Sequence, residues 1–426
     1  MTTSTTNSAS STTNSANSTT TSYPVDKIKV VLLENVHKKS VETFESAGFQ
    51  VHHYTKAFSG DELLEIAGDA HLIGIRSKTN LTADFFEKSK NLWGVGCFCI
   101  GTNQVDLDAA AAKGVPVFNE AFSNTRSVAE LVIAEMISLN RQLIDRSNSA
   151  HQGKWLKNDK GAHEVRGRNL GIIGYGRIGS QVSILAEALG MKVRYYDVVS
   201  VLPLGNAQKV EQLEDLLAWS DIVTLHVPAN PTTKNLIGEK ELSLMKPDAF
   251  LINNARGDVV DVEALANALR NQKLGGAAVD VFPKEPESTE ERFESVLQGL
   301  SNVILTPHIG GSTMEAQKAI AESVSARLLK LMNNGSTDTA VNVPQVQLPR
   351  LHSDHRRILH FHKNVPGVLR QINTATADLE VNVAAQFLQT SGDYAYAIMD
   401  VAHDRDELLL KRLRQIPETI RVRELW

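Results

Sequence analysis

The chain has 426 residues, enough for two or three domains, and its 44 basic and 49 acidic residues leave a formal net charge of −5. That balance gives no basic footprint for nucleic acid or an anionic membrane surface, and no apolar run reaches the roughly 18 residues that span a bilayer, so neither partner is expected. Two cysteines, Cys97 and Cys99, make neither a disulfide framework nor a zinc site, which points to a reducing, cytoplasmic home.

Residues 1–22 are Met1 followed by Thr, Ser, Asn and Ala alone. Such a tail has no apolar face to bury and is expected to be disordered. It carries neither the apolar core of a secretory signal nor the arginines of a transit peptide. Folding is expected to start near Lys27, where KVVLLENV reads as a strand and SVETFESAGF as a helix ending at Gly48. VHHYT, DELLEIAGDA and LIGIRS continue the alternation. A helix from Thr82 to Lys90, the strand LWGVGCFCIG, a helix from Leu107 to Lys113 and VPVFN follow. Strands alternating with helices imply βαβ units and a parallel sheet.

One long helix is expected from Ser127 to Asn148, after which the alternation restarts at NLGIIGYGRIG and runs through KVRYYDV, DIVTLHV, FLINNA, GGAAVDVF and NVILTPHIGG. A helix from Thr313 to Met332 returns to the first lobe. From Ser353 the order becomes β-α-β-β-α-β, closing with a charged helix from Asp404 to Arg414 and TIRVREL, which predicts a ferredoxin-like module. The expected class is α/β: two doubly wound parallel-sheet domains, Rossmann-like or flavodoxin-like, and this small C-terminal module. The expected boundaries are 1–22 for the tail, 23–122 with 311–345 for the first domain, 123–310 for the second, 346–354 for a linker and 355–426 for the module.

Gly174-Tyr175-Gly176-Arg177-Ile178-Gly179 follows an apolar strand and opens a helix. The first glycine permits the tight turn, the second lets a pyrophosphate approach the backbone, and the third packs helix on strand. The helix N-terminus then offers free N–H groups to the phosphates. Asp197 closes the next strand 18 residues after Gly179, where a ribose hydroxyl is bound. An aspartate there repels a 2′-phosphate, so NAD is expected over NADP.

Three further residues stand past strand ends, where ligands bind in such sheets. Arg256, in LINNARGDVVD, suits a substrate carboxylate because its fork holds two oxygens, though a surface salt bridge fits equally well. His308, in LTPHIGGS, stands between a proline and two glycines, and on its own reads as readily as a structural histidine. Glu285, in DVFPKEP, lies 23 residues before it. A carboxylate beside an imidazole fixes the tautomer and raises the histidine's pKa. Glu287, Glu290 and Glu291 follow closely, so the residues alone do not single out Glu285.

GYGRIG, INNARGDVVD, AAVDVFPKEP and LTPHIGGS, in this order, resemble the D-isomer-specific 2-hydroxyacid dehydrogenases. GIRSKT, GCFCIGTNQVDLDAAAAKGVPVFN and FSNTRSVAELVI narrow the resemblance to the bacterial-type branch with a C-terminal ACT domain. It covers nearly all of Lys27 to Trp426. It implies a substrate-binding first domain, an NAD-binding second domain and a regulatory third. The implied activity is oxidation of D-3-phosphoglycerate to 3-phosphooxypyruvate with NAD, the entry step of serine synthesis. Another 2-oxo acid (2-oxoglutarate, glyoxylate or hydroxypyruvate) and an NAD-sensing corepressor on the same scaffold are the alternatives.

The resemblance assigns catalysis to Arg256, Glu285 and His308. Cofactor contacts fall on Gly174, Gly176, Arg177, Ile178, Gly179, Asp197, Asn254, Ala255, Arg256, Asp280, His308, Ile309, Gly310 and Gly311. Substrate contacts fall on Arg76, Ser77, Lys78, Asn124 and Gln317, with Lys157 reaching across from a neighbouring subunit. L-serine, as inhibitor, would meet His362 and Asn364 of one chain and Asn382 of its partner, in a homo-dimer or tetramer. His360 and His362 share a strand face, but two histidines without a third ligand predict no metal. Two departures stand out: LHSDHRR has no glycine where relatives have a Gly-Gly hinge, and Glu380 stands where relatives often have glycine before VN.

Overall fold

The structure is a computed structural model that describes residues 23–286, 290–349, 355–402 and 406–425. The expected tail and residues 350–354 of the expected linker lie outside the described residues. The chain divides into two compact units, Glu120–Ala321 and the remainder, Met1–Asn119 with Glu322–Trp426.

In the remainder, the N-terminal part is a parallel sheet of β1 (Lys29–Leu32), β2 (Gln50–His53), β3 (Leu72–Ile75), β4 (Gly94–Cys97) and β5 (Val117–Phe118), ordered β2-β1-β3-β4-β5. That order is flavodoxin-like. β3 and β4 are buried at every position, as their unbroken apolar runs require of strands covered on both faces.

The C-terminal module of the same unit is antiparallel: β13 (His355–Lys363), β14 (Val383–Ser391), β15 (Tyr394–Ala402) and β16 (Thr419–Leu425), ordered β14-β15-β13-β16. Ile358, Met399 and Val422 pack under the helices Val368–Asp378 and Asp406–Arg414 through Ile372, Leu409 and Leu413. The opposite sheet face meets the rest of the unit. Tyr396 Oη donates to Gly335 O at 2.7 Å, and Arg421 donates to Leu92 O at 2.5 Å. Arg423 stacks 4.1 Å over Trp93. Arg357, fully buried, forms a bidentate pair with Asp400 at 2.6 and 2.7 Å and donates to Asn334 O and Pro349 O.

The other unit holds the seven parallel strands β6 (Asn169–Ile173), β7 (Lys192–Tyr196), β8 (Gln208–Lys209), β9 (Ile222–Leu225), β10 (Phe250–Asn253), β11 (Gly276–Val279) and β12 (Val303–Leu305). Their order is β12-β11-β10-β9-β6-β7-β8, so the winding reverses between β6 and β9, the switch point of a Rossmann sheet. The two-residue β8 has no sequence signal. The expected single helix from Ser127 is two, Thr125–Arg141 and Leu143–His151, broken at Gln142 in the left-handed region (φ 50°). Arg146 donates to the Gln142 side chain, which holds the break. The division between units falls within the helix Met314–Asn334.

Candidate active site

The glycine turn after β6 is built as its spacing requires. Gly174 has φ 91°, and a Cβ on it would stand 2.5 Å from His226 O. A Cβ on Gly179 would stand 2.2 Å from Gly174 O, so only glycine lets helix Arg177–Ala188 sit this close to the turn. Gly176 faces open space and caps that helix without a side-chain hydrogen bond, which leaves the first-turn N–H groups unclaimed by a cap. Asp197 directly follows β7 and accepts from Tyr175 N at 2.7 Å and Val199 N at 2.8 Å. Arg177 lies 3.8 Å over the Phe122 ring, and Ile178 packs on the core. An open glycine cradle, an uncapped helix start and a carboxylate at the next strand end fit a dinucleotide.

Past β10, Asn253 folds the loop back on itself: its amide donates to Arg256 O and accepts from Ala255 N, both at 3.1 Å. Arg256 donates to Ala255 O at 2.6 Å and is half-buried. Past β12, His308 takes φ 53°, a left-handed conformation costly for a residue with a Cβ. Asp280 holds it there. Its backbone O accepts from His308 N, Oδ1 accepts from Ile309 N and Thr306 Oγ1, and Oδ2 accepts from Gly310 N, all within 2.6–2.8 Å. The expected cofactor residue Asp280 is thus the clamp of the histidine turn.

His308 Nδ1 stands 2.8 Å from Glu285 Oε2. A carboxylate only accepts, so the proton is on Nδ1 and Nε2 keeps a lone pair. Glu285 Oε1 accepts from Phe282 N at 3.1 Å. The Glu285 hydrogen bond raises the His308 pKa against its burial, and the nearby Arg256 charge opposes the rise. Burial pushes the Glu285 carboxyl up, but His308 and the Phe282 N–H hold it below the usual carboxylate range. The arrangement is an imidazole–carboxylate pair of the kind that can accept a proton, with Arg256 past β10, one strand beyond β11 from the His308 turn.

The remaining assigned residues divide. Asn124 is buried, and a Cβ on Gly311 would stand 2.4 Å from its Nδ2, so these two are packed together. Gln317 is half-buried in the first turn of helix Met314–Asn334, whose start is tied to Ser127 through Thr313 at 2.8 Å. Lys157 is exposed and stands apart. Its neighbours Leu156 and Asn158 line a depression with Gly275, Ser301 and Asn302, which precede β11 and β12, at the opposite end of the strands from His308. Arg76, Ser77 and Lys78 form the turn after β3 in the other unit. Glu34, which the sequence did not single out, accepts from Arg76 N, Lys78 N and Thr79 N at 3.1, 2.9 and 2.8 Å and so shapes that turn.

In the module, His362 is buried with Nδ1 2.9 Å from Lys363 O, and Asn364 donates to Gly392 O at 2.9 Å. Asn382 is not with them: its O accepts from Ala402 N, and Ala402 pairs with His355 at the other end of β13. Glu380 has φ 52°, the conformation glycine favours. Among the described residues no group of three or more His, Cys, Asp or Glu is arranged to hold a metal, and no helix is long and apolar enough to cross a membrane.

Residues 133–310 match the family described as D-isomer specific 2-hydroxyacid dehydrogenase, NAD binding domain, and residues 358–421 match an AHAS small subunit-like ACT domain. The D-3-phosphoglycerate dehydrogenase of Escherichia coli (strain K12) is 52 % identical over 404 residues, covering 94 % of this chain and 98 % of that one. The enzyme of the same name from Dictyostelium discoideum is 48 % identical over 406 residues, 95 % and 99 %. Among solved structures, D-lactate dehydrogenase from Aquifex aeolicus, complexed with NAD and lactic acid, aligns with a TM-score of 0.61 at 29 % identity, over 71 % of this chain and 96 % of that one. The protein is an NAD-dependent oxidoreductase of 2-hydroxy acids. Its chain belongs to the D-isomer-specific 2-hydroxyacid dehydrogenase family and, within it, to the D-3-phosphoglycerate dehydrogenases.

Proposed function

We propose that the chain oxidises D-3-phosphoglycerate to 3-phosphooxypyruvate, the first step of L-serine biosynthesis, with L-serine bound by the ACT module as regulator. The observation that carries the chemistry is the 2.8 Å contact of His308 Nδ1 with Glu285, which leaves Nε2 as the base. Bound NAD supplies the hydride acceptor. His308 Nε2 takes the proton of the C2 hydroxyl as the C2–H bond gives up its electron pair, and the C2–O bond becomes a carbonyl. Arg256 holds the substrate carboxylate in its fork and polarises the nascent carbonyl. The turn Arg76–Ser77–Lys78, ordered by Glu34, is assigned the substrate phosphate, with Lys157 supplied by a second copy of the chain.

His362 and Asn364 are assigned to the serine site. The separation of Asn382 from them within one chain supports a site completed by a partner, and so a homo-oligomer. Two free cysteines support a cytoplasmic location. The test is NADH formation from D-3-phosphoglycerate at alkaline pH, with product removed, with and without L-serine. Turnover suppressed by serine is the expected result. Turnover of another 2-hydroxy acid in place of this one would overturn the substrate assignment, and turnover indifferent to serine would overturn the regulatory one.

A further inference from the structure

Glu135 sits mid-helix in Thr125–Arg141, on the face that packs into the core through Val128, Val132, Met136 and Leu139. It is 3 % exposed. A charged side chain this deep needs partners for both oxygens, and Glu135 has a partner for one: Oε2 accepts from Asn254 Nδ2 at 2.8 Å. Oε1 has no partner, and neither has Asn254 Oδ1. Rotating the Asn254 amide does not cure this, since an amide brings one donor group and one acceptor to the pair whichever way it faces. A single proton on Oε1 does. Oε1–H then donates to Asn254 Oδ1 while Asn254 Nδ2–H donates to Oε2, and both orphan oxygens are satisfied in one closed ring.

We propose that Glu135 is a protonated acid joined to Asn254 by these two reciprocal hydrogen bonds, and that the pair is a positioning device for Arg256 that opens when Glu135 ionises. Asn254 is flanked by Asn253 and Ala255, whose hydrogen bonds close the Arg256 loop, so its side chain is the tie between that loop and the helix behind it. Of the elements packed against the helix, β10 leads into Asn254 and β11 into the Asp280 carboxylate, while β12 and helix Arg177–Ala188 bring Ile304, Val182 and Ala186. Burial pushes the Glu135 carboxyl up to about 8, the Asn254 N–H opposing and the Asp280 charge assisting. Above that pH a bare Oε1 charge faces the lone pairs of Asn254 Oδ1, and the ring is lost.

The proposal rests on the reading of Arg256 as the anchor of the substrate carboxylate, and its first test needs no substrate. Infrared difference spectra of wild type minus Glu135→Gln should show the C=O stretch of a protonated carboxylic acid at neutral pH, fading as pH rises through about 8. Absence of that band overturns the proposal whatever the substrate proves to be. The second test is the pH profile of kcat/KM. Glu135→Leu, which cannot pair with Asn254, should lose about 10- to 100-fold at neutral pH. Glu135→Gln restores a ring of two amide hydrogen bonds and cannot ionise. It should recover part of that loss and move the alkaline limb upward by about one pH unit or more. A band present with the alkaline limb unmoved in Glu135→Gln would overturn the positioning role.

Discussion

Gly257 lies directly against the backbone of Phe282: a Cβ on Gly257 would stand 2.0 Å from the Phe282 carbonyl carbon and 2.2 Å from its oxygen. The absence of a side chain at one residue is what lets the Arg256 loop lie beside the loop that carries Glu285. Gly257→Ala should push these loops apart and lower kcat/KM by about 100-fold, since misplacement near 1 Å costs that much. Steady-state kinetics beside thermal unfolding would check it. Near-native kinetics in the variant would show that the contact is not needed.

Glu285→Gln removes the charge that raises His308 above its usual 6.5. With His308 as the proposed base, oxidation needs the neutral imidazole, so the acid limb of kcat/KM should lie above 6.5 in the native enzyme and move to lower pH in the variant. The stability of the pair has two edges. The raised histidine contributes stability below pH 6.5 that is lost as pH rises through its folded value; the lowered glutamate contributes stability above 4.5 that is lost as pH falls through its own. A limb that stays in place would sink the pairing argument.

Glu34→Ala leaves the N–H groups of Arg76, Lys78 and Thr79 without their acceptor. Each buried donor left unmade costs about 1–3 kcal/mol, with water repairing part of the loss at this half-exposed turn. KM for a phosphorylated substrate should rise about tenfold or more, well beyond the change in kcat. A change confined to kcat would contradict the positioning of the phosphate turn by Glu34.

Glu380→Gly places glycine at φ 52°. The native glutamate bears a left-handed strain of about 1 kcal/mol, which glycine relieves, while glycine also loosens the unfolded chain. The net expectation is a gain of roughly 0.5 kcal/mol, read by denaturant titration. A destabilised variant would mean that the Glu380 side chain has a role in the module that outweighs the strain.

The motifs were legible because their chemistry needs neighbours in the chain. Gly174, Gly176 and Gly179 serve one turn, and Asn253 to Gly257 serve one loop. The parallel sheets were legible because strands alternated with helices, the βαβ rhythm that parallel pairing needs. What stayed hidden is pairing at a distance. Glu34 meets Arg76 across 42 residues, and Glu135 meets Asn254 across 119. Gln142 breaks a helix that its neighbours' propensities would continue, taking a left-handed backbone that no residue signal marks. The resemblance made Asp280 a cofactor residue, yet its carboxylate bonds all go to the histidine turn.

If the C-terminal module holds serine as proposed, the register of its sheet constrains how the ligand is bound. Asn382 lies level with His355, seven strand residues from His362, or about 23 Å at the usual rise. An amino acid is far too short to touch both in one chain. Under the serine reading, ligand binding and chain association are one linked equilibrium, so serine drives assembly and assembly tightens serine. Inhibition should therefore weaken on dilution of the enzyme: half-inhibition should need more serine at nanomolar than at micromolar protein. The chain would then gauge its own abundance together with that of its end product.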